Sequence, residues 1–306
     1  MTDSRSWFIL ATLAITWSVW SQSTAAWAAP PHTVRECIWA WSHEAGVYNG
    51  NYGLPGNSRI TPVEGAHFLG VPNIIFIRYH DRPEPPFQQY AIPFKSLERV
   101  VWSITGASGL TSPEERQHVL SLAQDMPNLT GVFMDDFFHF EVGRPLPDGQ
   151  PLAAITVAQL HEFRKQMGVA SRRLDLGVTL YTHQLDERIL PHLELCDSVS
   201  LWTWRAPELA NLETNFAKYE KLVPSGKKRL LGLYMWDFGN RRPLPLESMK
   251  MQCTQALRWL HEGRIDGMIF LATNICDLNL ETVEWSRRWI AEHGDEPLQV
   301  RQDAGQ

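Results

Sequence analysis

The stretch that decides the fold is Leu129-Thr130-Gly131-Val132-Phe133-Met134-Asp135-Asp136-Phe137-Phe138. Its apolar run, Thr130 to Met134, is followed directly by the two acidic residues Asp135 and Asp136. Runs that are apolar on both faces suit strands covered on both sides, as in a parallel sheet. The stretch therefore predicts a buried strand with a polar tip at one edge of a sheet.

Seven further runs of the same kind occur along the chain: Glu36 to Trp41, Asn73 to Tyr79, Arg99 to Ile104, Leu174 to Tyr181, Ser198 to Thr203, Arg229 to Met235 and Asp266 to Ala272. Helix signals lie between several of them. Ser112 precedes Pro113 and Glu115, the pattern of a helix N-cap, and Thr156 with Gln159 forms a capping box. Two later segments, Leu246 to Leu260 and Leu280 to Ile290, carry apolar stripes at helical spacing.

Eight strand and helix units in roughly 270 residues are typical of a (β/α)₈ barrel, also called a TIM barrel. We predict one such domain over residues 29–300, followed by a short tail at 301–306. A doubly wound open sheet is the main alternative. That fold is favoured by a glycine-rich phosphate loop after the first strand, and the segment from His43 to Gly46 contains none. We expect no cofactor.

The first 28 residues predict a secretory signal peptide. Arg5 gives a charged start, Trp7 to Trp20 is mostly apolar, and Ala26-Trp27-Ala28 supplies small residues at the spacing of a cleavage site. A retained membrane anchor is the weaker alternative, because the run is shorter than the roughly 20 residues that a bilayer requires. We expect a secreted or periplasmic protein with no membrane contact after cleavage.

Composition excludes two broad classes. The chain has 306 residues, is 44% hydrophobic and 20% charged, and carries a net charge of −6. This apolar content argues against a disordered chain, and the negative charge argues against a nucleic-acid partner. The four cysteines (Cys37, Cys196, Cys253 and Cys276) allow three disulfide connectivities, and buried free thiols are an equal alternative.

Tryptophan is unusually frequent, with 13 residues. Four fall in the predicted signal peptide, and Trp259, Trp285 and Trp289 fall in helical segments that would pack on the barrel. The other six lie in or just after predicted strands: Trp39, Trp41, Trp102, Trp202, Trp204 and Trp236. Indole rings stack on the flat faces of sugars. We therefore expect these six to surround a single pocket that contains Asp135.

The carboxyl ends of the strands form the reactive face of a (β/α)₈ barrel. Because side chains alternate along a strand, Asp135 is expected inside the barrel and Asp136 at the rim or capping the next segment. Ten residues at strand ends are predicted to bind substrate: Trp39, Trp41, Arg78, His80, Tyr181, His183, Trp202, Trp204, Trp236 and Asn274.

The segment Gly131 to Phe138, with a small residue, an apolar strand and an aspartate at its tip, resembles the fourth strand of several (β/α)₈ glycoside hydrolases. The resemblance is to an architecture and names no single family. It implies that Asp135 is the nucleophile or stabilises the oxocarbenium centre, with Asp136 as the fallback. Glycoside hydrolysis normally requires a second carboxylate. We assign the general acid to Asp237, because the preceding Trp236 would exclude water and raise its pKa. No glutamate ends the late strands, which departs from the common pattern.

The preferred hypothesis is a secreted glycoside hydrolase acting on a poly- or oligosaccharide. A barrel that binds carbohydrate without cleaving it is one alternative. A metal-dependent polysaccharide deacetylase is another, since Phe133 to Asp136 faintly resembles the aspartate pair of that family. The family also requires an H-x-x-x-H motif, and His139, His161 and His183 lack that spacing. The sugar, the linkage and the oligomeric state stay open at this stage.

Overall fold

The computed structural model describes residues 33–168 and 172–298. The predicted signal peptide and the predicted tail at 301–306 lie outside the described residues. The described part belongs to one compact unit, Pro31–Gln306. Within that part of the chain, no helix has the length and apolar character needed to cross a bilayer.

Eight parallel strands form a closed barrel. They are β1 (Ile38–Ser42), β2 (Asn73–Phe76), β3 (Arg99–Thr105), β4 (Leu129–Met134), β5 (Asp175–Tyr181), β6 (Ser198–Trp202), β7 (Lys228–Tyr234) and β8 (Gly267–Leu271). Each strand pairs with the next, and β1 also pairs with β8, where Trp39 lies opposite Ile269. The predicted (β/α)₈ barrel is confirmed, and the open-sheet alternative is wrong.

Helices follow most of the strands. They are α1 (Pro62–Leu69), α2 (Pro113–Asp125), α3 (Val157–Gly168), α4 (Leu190–Leu193), α5 (Leu212–Leu222), α6 (Leu246–His261) and α7 (Glu281–His293). The Ser112 side chain accepts a hydrogen bond from the Glu115 backbone N–H, as predicted. Between β2 and β3 a 3₁₀ helix, Ile92–Ser96, takes the place of an α-helix.

Alternation along the strands divides the aromatic residues into two layers. Trp102 of β3 points outward and is fully buried under the helical layer, with its ring 4.5 Å from that of Phe76. Trp41, Phe133 and Trp202 point inward. The ring centroid of Trp41 lies 5.6 Å from Phe133 and 5.1 Å from Trp202. These three rings fill the barrel interior and form the floor beneath its open end.

The Trp202 indole requires a glycine on the neighbouring strand. A Cβ atom at Gly232 would lie 2.0 Å from Cε3 of Trp202. We expect Gly232→Ala to lower the free energy of unfolding by about 1–3 kcal/mol, because overpacking displaces the indole. Equilibrium denaturation measures this, with Gly56→Ala as the control, since the nearest atom to a Cβ there is 3.7 Å away. Equal losses of unfolding free energy in Gly232→Ala and Gly56→Ala would contradict the requirement for a glycine beside Trp202.

Candidate functional site

A cavity of about 380 Å³ opens at the carboxyl ends of the strands. Residues from all eight strands or from the loops that follow them contribute to its lining. Aromatic side chains make up about half of the lining, and two consecutive carboxylates, Asp135 and Asp136, face into the cavity. This is the location that the barrel architecture predicts for a reactive site.

Asp135 follows the last residue of β4 and is 5% exposed. Its Oδ1 accepts a hydrogen bond of 3.1 Å from the Thr179 hydroxyl, and its backbone N–H donates to Thr105 O at 3.2 Å. Burial, and secondarily the charge of Asp136, raises the pKa of Asp135 well above its usual range. The environment therefore favours the protonated acid at this position.

Asp136 has a φ of 44°, in the left-handed region. In a continuing strand its side chain would point away from that of Asp135, and the turn brings both side chains to the same cavity. Its Oδ1 accepts a hydrogen bond of 2.8 Å from the Tyr181 hydroxyl, and its Oδ2 accepts one of 3.0 Å from the Ser108 backbone N–H. Both oxygens act as acceptors, which suits an ionised carboxylate.

One wall of the cavity is a cluster of tyrosines and a phenylalanine. The Tyr52 and Tyr79 hydroxyls are hydrogen-bonded at 3.0 Å, and the rings of Tyr48 and Phe238 lie 5.4 Å apart. Trp236 donates its indole N–H to Tyr52 O at 2.9 Å, and this bond ties the loop after β1 to the loop after β7. The wall thus combines apolar ring faces with hydroxyl groups.

The opposite wall comes from β5 and β6. Tyr181 stacks on His183 with ring centroids 5.3 Å apart and planes inclined by 7°. Trp204 lies edge-on to Tyr181 at 6.2 Å. Two ion pairs stand at the rim of this wall. Arg144 Nη1 is 2.6 Å from Glu141 Oε2, and Arg205 Nη1 is 3.1 Å from Glu208 Oε1, so each rim arginine is neutralised locally.

His43 lines the cavity but is held as a neutral ring. Its Nδ1–H donates to Ile77 O at 2.8 Å, so its Nε2 is the acceptor for the Trp41 indole N–H at 3.1 Å. Burial lowers the pKa of His43 to about 4. Both ring nitrogens are occupied, and we therefore assign His43 to orienting Trp41 rather than to proton transfer.

Five of the predicted substrate-binding residues line the cavity: Trp41, Tyr181, His183, Trp202 and Trp204. The sequence prediction missed Tyr48, Tyr52, Tyr79, Tyr234 and Phe238. Tyr48 and Tyr52 lie in the loop after β1, beyond the apolar run, where no periodic pattern indicates orientation. Tyr79 and Tyr234 lie at the ends of predicted strands, and that position could have identified them as residues of the cavity.

The other five predicted binding residues lie elsewhere. Trp39 is low in the barrel, under the Arg99 guanidinium at 4.8 Å, and Trp236 braces a loop. Asn274 joins β8 to β1 by donating to Glu44 O at 2.8 Å and accepting from His43 N–H at 2.9 Å. Arg78 and His80 line a separate, smaller cavity. The expectation that six tryptophans surround one pocket holds for Trp41, Trp202 and Trp204 and fails for Trp39, Trp102 and Trp236.

Asp237 is not among the residues that line the cavity, which differs from its predicted role as general acid. It is 1% exposed and sits in a turn that is closed by backbone hydrogen bonds to Arg242. Its carboxylate accepts hydrogen bonds from Asn240 Nδ2 at 2.8 Å and from the Ala206 backbone N–H at 3.3 Å. All of these contacts fix loop conformation.

Two other sets of polar side chains bear on the sequence hypotheses. Among residues 33–168 and 172–298, no three His, Cys, Asp or Glu side chains lie close enough to hold a metal ion together. The four cysteines are buried and form no disulfide with one another, so the alternative without disulfides is the one observed.

No protein-family model and no curated protein matches this chain. Solved structures do share its fold. One, from Bacteroides thetaiotaomicron VPI-5482 and provisionally named an α-L-fucosidase, is 10% identical with a TM-score of 0.55, covering 86% of this chain and 97% of that one. A GH18 chitinase from Cycas revoluta in complex with (GlcNAc)₃ is 10% identical with a TM-score of 0.50, and the match covers 82% of this chain and 99% of the chitinase chain. At this level of identity the likeness establishes the barrel fold.

The raised pKa of Asp135 makes stability depend on pH. Because the folded state favours the protonated form of Asp135, the contribution of this group to the free energy of unfolding is complete below the ordinary aspartate pKa. It is lost as the pH rises through the pKa that Asp135 has in the folded state. We expect Asp135→Asn to raise the melting temperature at pH 8 and to have no effect near pH 3.5. Each kcal/mol of unfolding free energy that the variant recovers at pH 8 corresponds to a rise of about 2–4 °C. Thermal denaturation across this range tests the expectation. An equal effect at both pH values would contradict it.

Proposed function

We propose that the protein is a secreted glycoside hydrolase that cleaves a poly- or oligosaccharide in the cavity, with Asp135 and Asp136 as its carboxylate pair. The observation that carries the proposal is the pair itself. Two consecutive aspartates face one cavity at the mouth of the barrel, and burial raises the pKa of Asp135. Secretion rests on the predicted signal peptide.

The chemistry of the cavity suits a sugar. Trp204, which is partly exposed, offers a ring on which the C–H groups of a pyranose can stack, above the floor that contains Trp202. Tyr52, Tyr79 and Tyr48 place phenolic groups on the opposite side, where they can exchange hydrogen bonds with sugar hydroxyls. Predominantly aromatic walls with a few polar groups are the usual composition of a small-ligand site.

The two carboxylates differ in the way that glycoside hydrolysis requires. Asp135, protonated, gives its proton to the glycosidic oxygen as the bond from that oxygen to the anomeric carbon breaks. Asp136, ionised, stabilises the positive charge at the anomeric carbon and takes a proton from the attacking water, whose oxygen bonds to that carbon. Transfer of one proton from Asp136 back to Asp135 restores the pair. A buried carboxyl group with a raised pKa is the usual general acid of such a pair.

These roles revise the sequence hypothesis. Asp135 becomes the proton donor rather than the nucleophile, because its burial favours the acid form. Asp136, the former fallback, takes the ionised role, because both of its oxygens accept hydrogen bonds. Asp237 becomes a loop-fixing residue on the evidence of its contacts with Asn240 and Ala206.

Separate Asp135→Asn and Asp136→Asn variants test the proposal. Each removes a proton-transfer group while keeping the side-chain shape, so we expect each to lower kcat by about 10²–10⁴-fold. Activity is measured as release of reducing sugar from a panel of β-glucans, α-glucans, chitosan, chitin, xylan and mannan, with circular dichroism to verify folding.

Asp125→Asn is the matched control, because Asp125 is exposed at the last residue of α2, on the opposite end of the barrel from the cavity. Its activity should equal that of the wild type. Full activity in both site variants would overturn the assignment. Saccharide binding by calorimetry without release of reducing sugar would show a binding barrel instead.

A further inference from the structure

A second cavity, of about 110 Å³, adjoins the main one. Ala107, in the loop after β3, lines both cavities. The next residue, Ser108, lines the second cavity and donates its backbone N–H to Asp136. The carboxylate pair therefore lies next to the boundary between the two cavities. At this boundary the side chain of Ala107 is only a methyl group.

The other sides of the main cavity are joined by contacts between loops. The Val142 backbone N–H donates to His183 O at 2.8 Å, which joins the loops after β4 and β5. The Ala206 backbone N–H donates to Asp237, which joins the loops after β6 and β7. On the far side, Phe238 and the tyrosine cluster join the loops after β7, β1 and β2. The Ala107 loop is held as well, since the Ala107 backbone N–H donates to Arg78 O at 3.0 Å, but the side chain between the two cavities at this point is only a methyl group.

The floor of the second cavity is held by hydrogen bonds and an ion pair, and its rim is formed by exposed side chains. Arg78 is 6% exposed, and its guanidinium is engaged by Glu115 at 2.7 Å, by Pro83 O at 3.0 Å and by Asp81 O at 2.5 Å. It shapes the floor, and these three contacts hold its guanidinium in place. The rim carries the exposed side chains of His80 and Ser108 beside Leu110, which is 66% exposed.

We propose that the second cavity binds the sugar on the leaving-group side of the scissile bond, with the terminal sugar of the same saccharide in the main cavity and the chain crossing over Ala107. The proposal rests on the proposed function. His80 and Ser108 supply hydrogen-bonding groups for hydroxyls, and Leu110 supplies an apolar surface for a sugar C–H face. The main cavity then holds the chain end, so cleavage proceeds from the end of the chain.

The Ala107→Trp variant closes the passage and gives the sharpest test. The substrates are the trisaccharide that the wild type cleaves fastest and the glycosyl fluoride of its terminal sugar, whose leaving group is a single atom. Because Ala107 also lines the main cavity, the two substrates are compared, and we expect kcat/KM to fall at least about tenfold more for the trisaccharide than for the fluoride. Ala158→Trp, at an exposed position in α3, is the matched control and should leave both values unchanged.

His80→Ala provides a second variant that adds no bulk. We expect it to raise KM for the trisaccharide and to leave the glycosyl fluoride unaffected. The inference is overturned if Ala107→Trp lowers kcat/KM equally for both substrates, or if neither variant affects the trisaccharide, while the proposed function stands in both cases. If the wild type cleaves no saccharide and no glycosyl fluoride that is offered, the proposed function fails and this inference fails with it.

Discussion

The site depends on keeping one carboxyl group, that of Asp135, out of water at the centre of the barrel mouth. The closed sheet makes this possible, because eight strands surround the position and inward-facing rings fill the space below it. An isolated buried carboxylate is costly, and the group responds by keeping its proton. The Thr179 hydroxyl fixes its orientation. The raised pKa of Asp135 is thus a consequence of barrel closure.

The left-handed backbone at Asp136 adds the second carboxylate without a second strand. Consecutive side chains of a strand diverge, so two adjacent aspartates serve one cavity only if the chain turns at that point. Bonds from Tyr181 and Ser108 then hold Asp136 between the loops after β5 and β3. Several other polar groups at strand ends serve the scaffold. Asn274, Trp236 and Asp237 each join neighbouring loops and so determine the shape of the cavity.

The fold could be predicted closely from the sequence. The eight apolar runs match the eight strands to within about two residues at each end, except that β2 ends at Phe76 rather than at Tyr79, because buried parallel strands leave a strong local pattern. The placement of Asp135 inside the barrel followed from alternation along β4. Alternation ends with the strand, however, and it gave no information on Tyr48 or Tyr52 in the loop after β1. It also could not show that Asp237 lies outside the cavity, because its hydrogen-bond partner Ala206 is 31 residues away in the sequence.

The central claim is that one proton is retained at Asp135 beside an ionised Asp136. Nuclear magnetic resonance titration of ¹³C-labelled aspartate carboxyl groups measures this directly, with Asp135→Asn to assign the resonance. We expect one cavity carboxyl to stay protonated well above the ordinary aspartate pKa of about 3.9, and its signal to be absent from the variant. Ionisation of both aspartates at or below that value would contradict the claim.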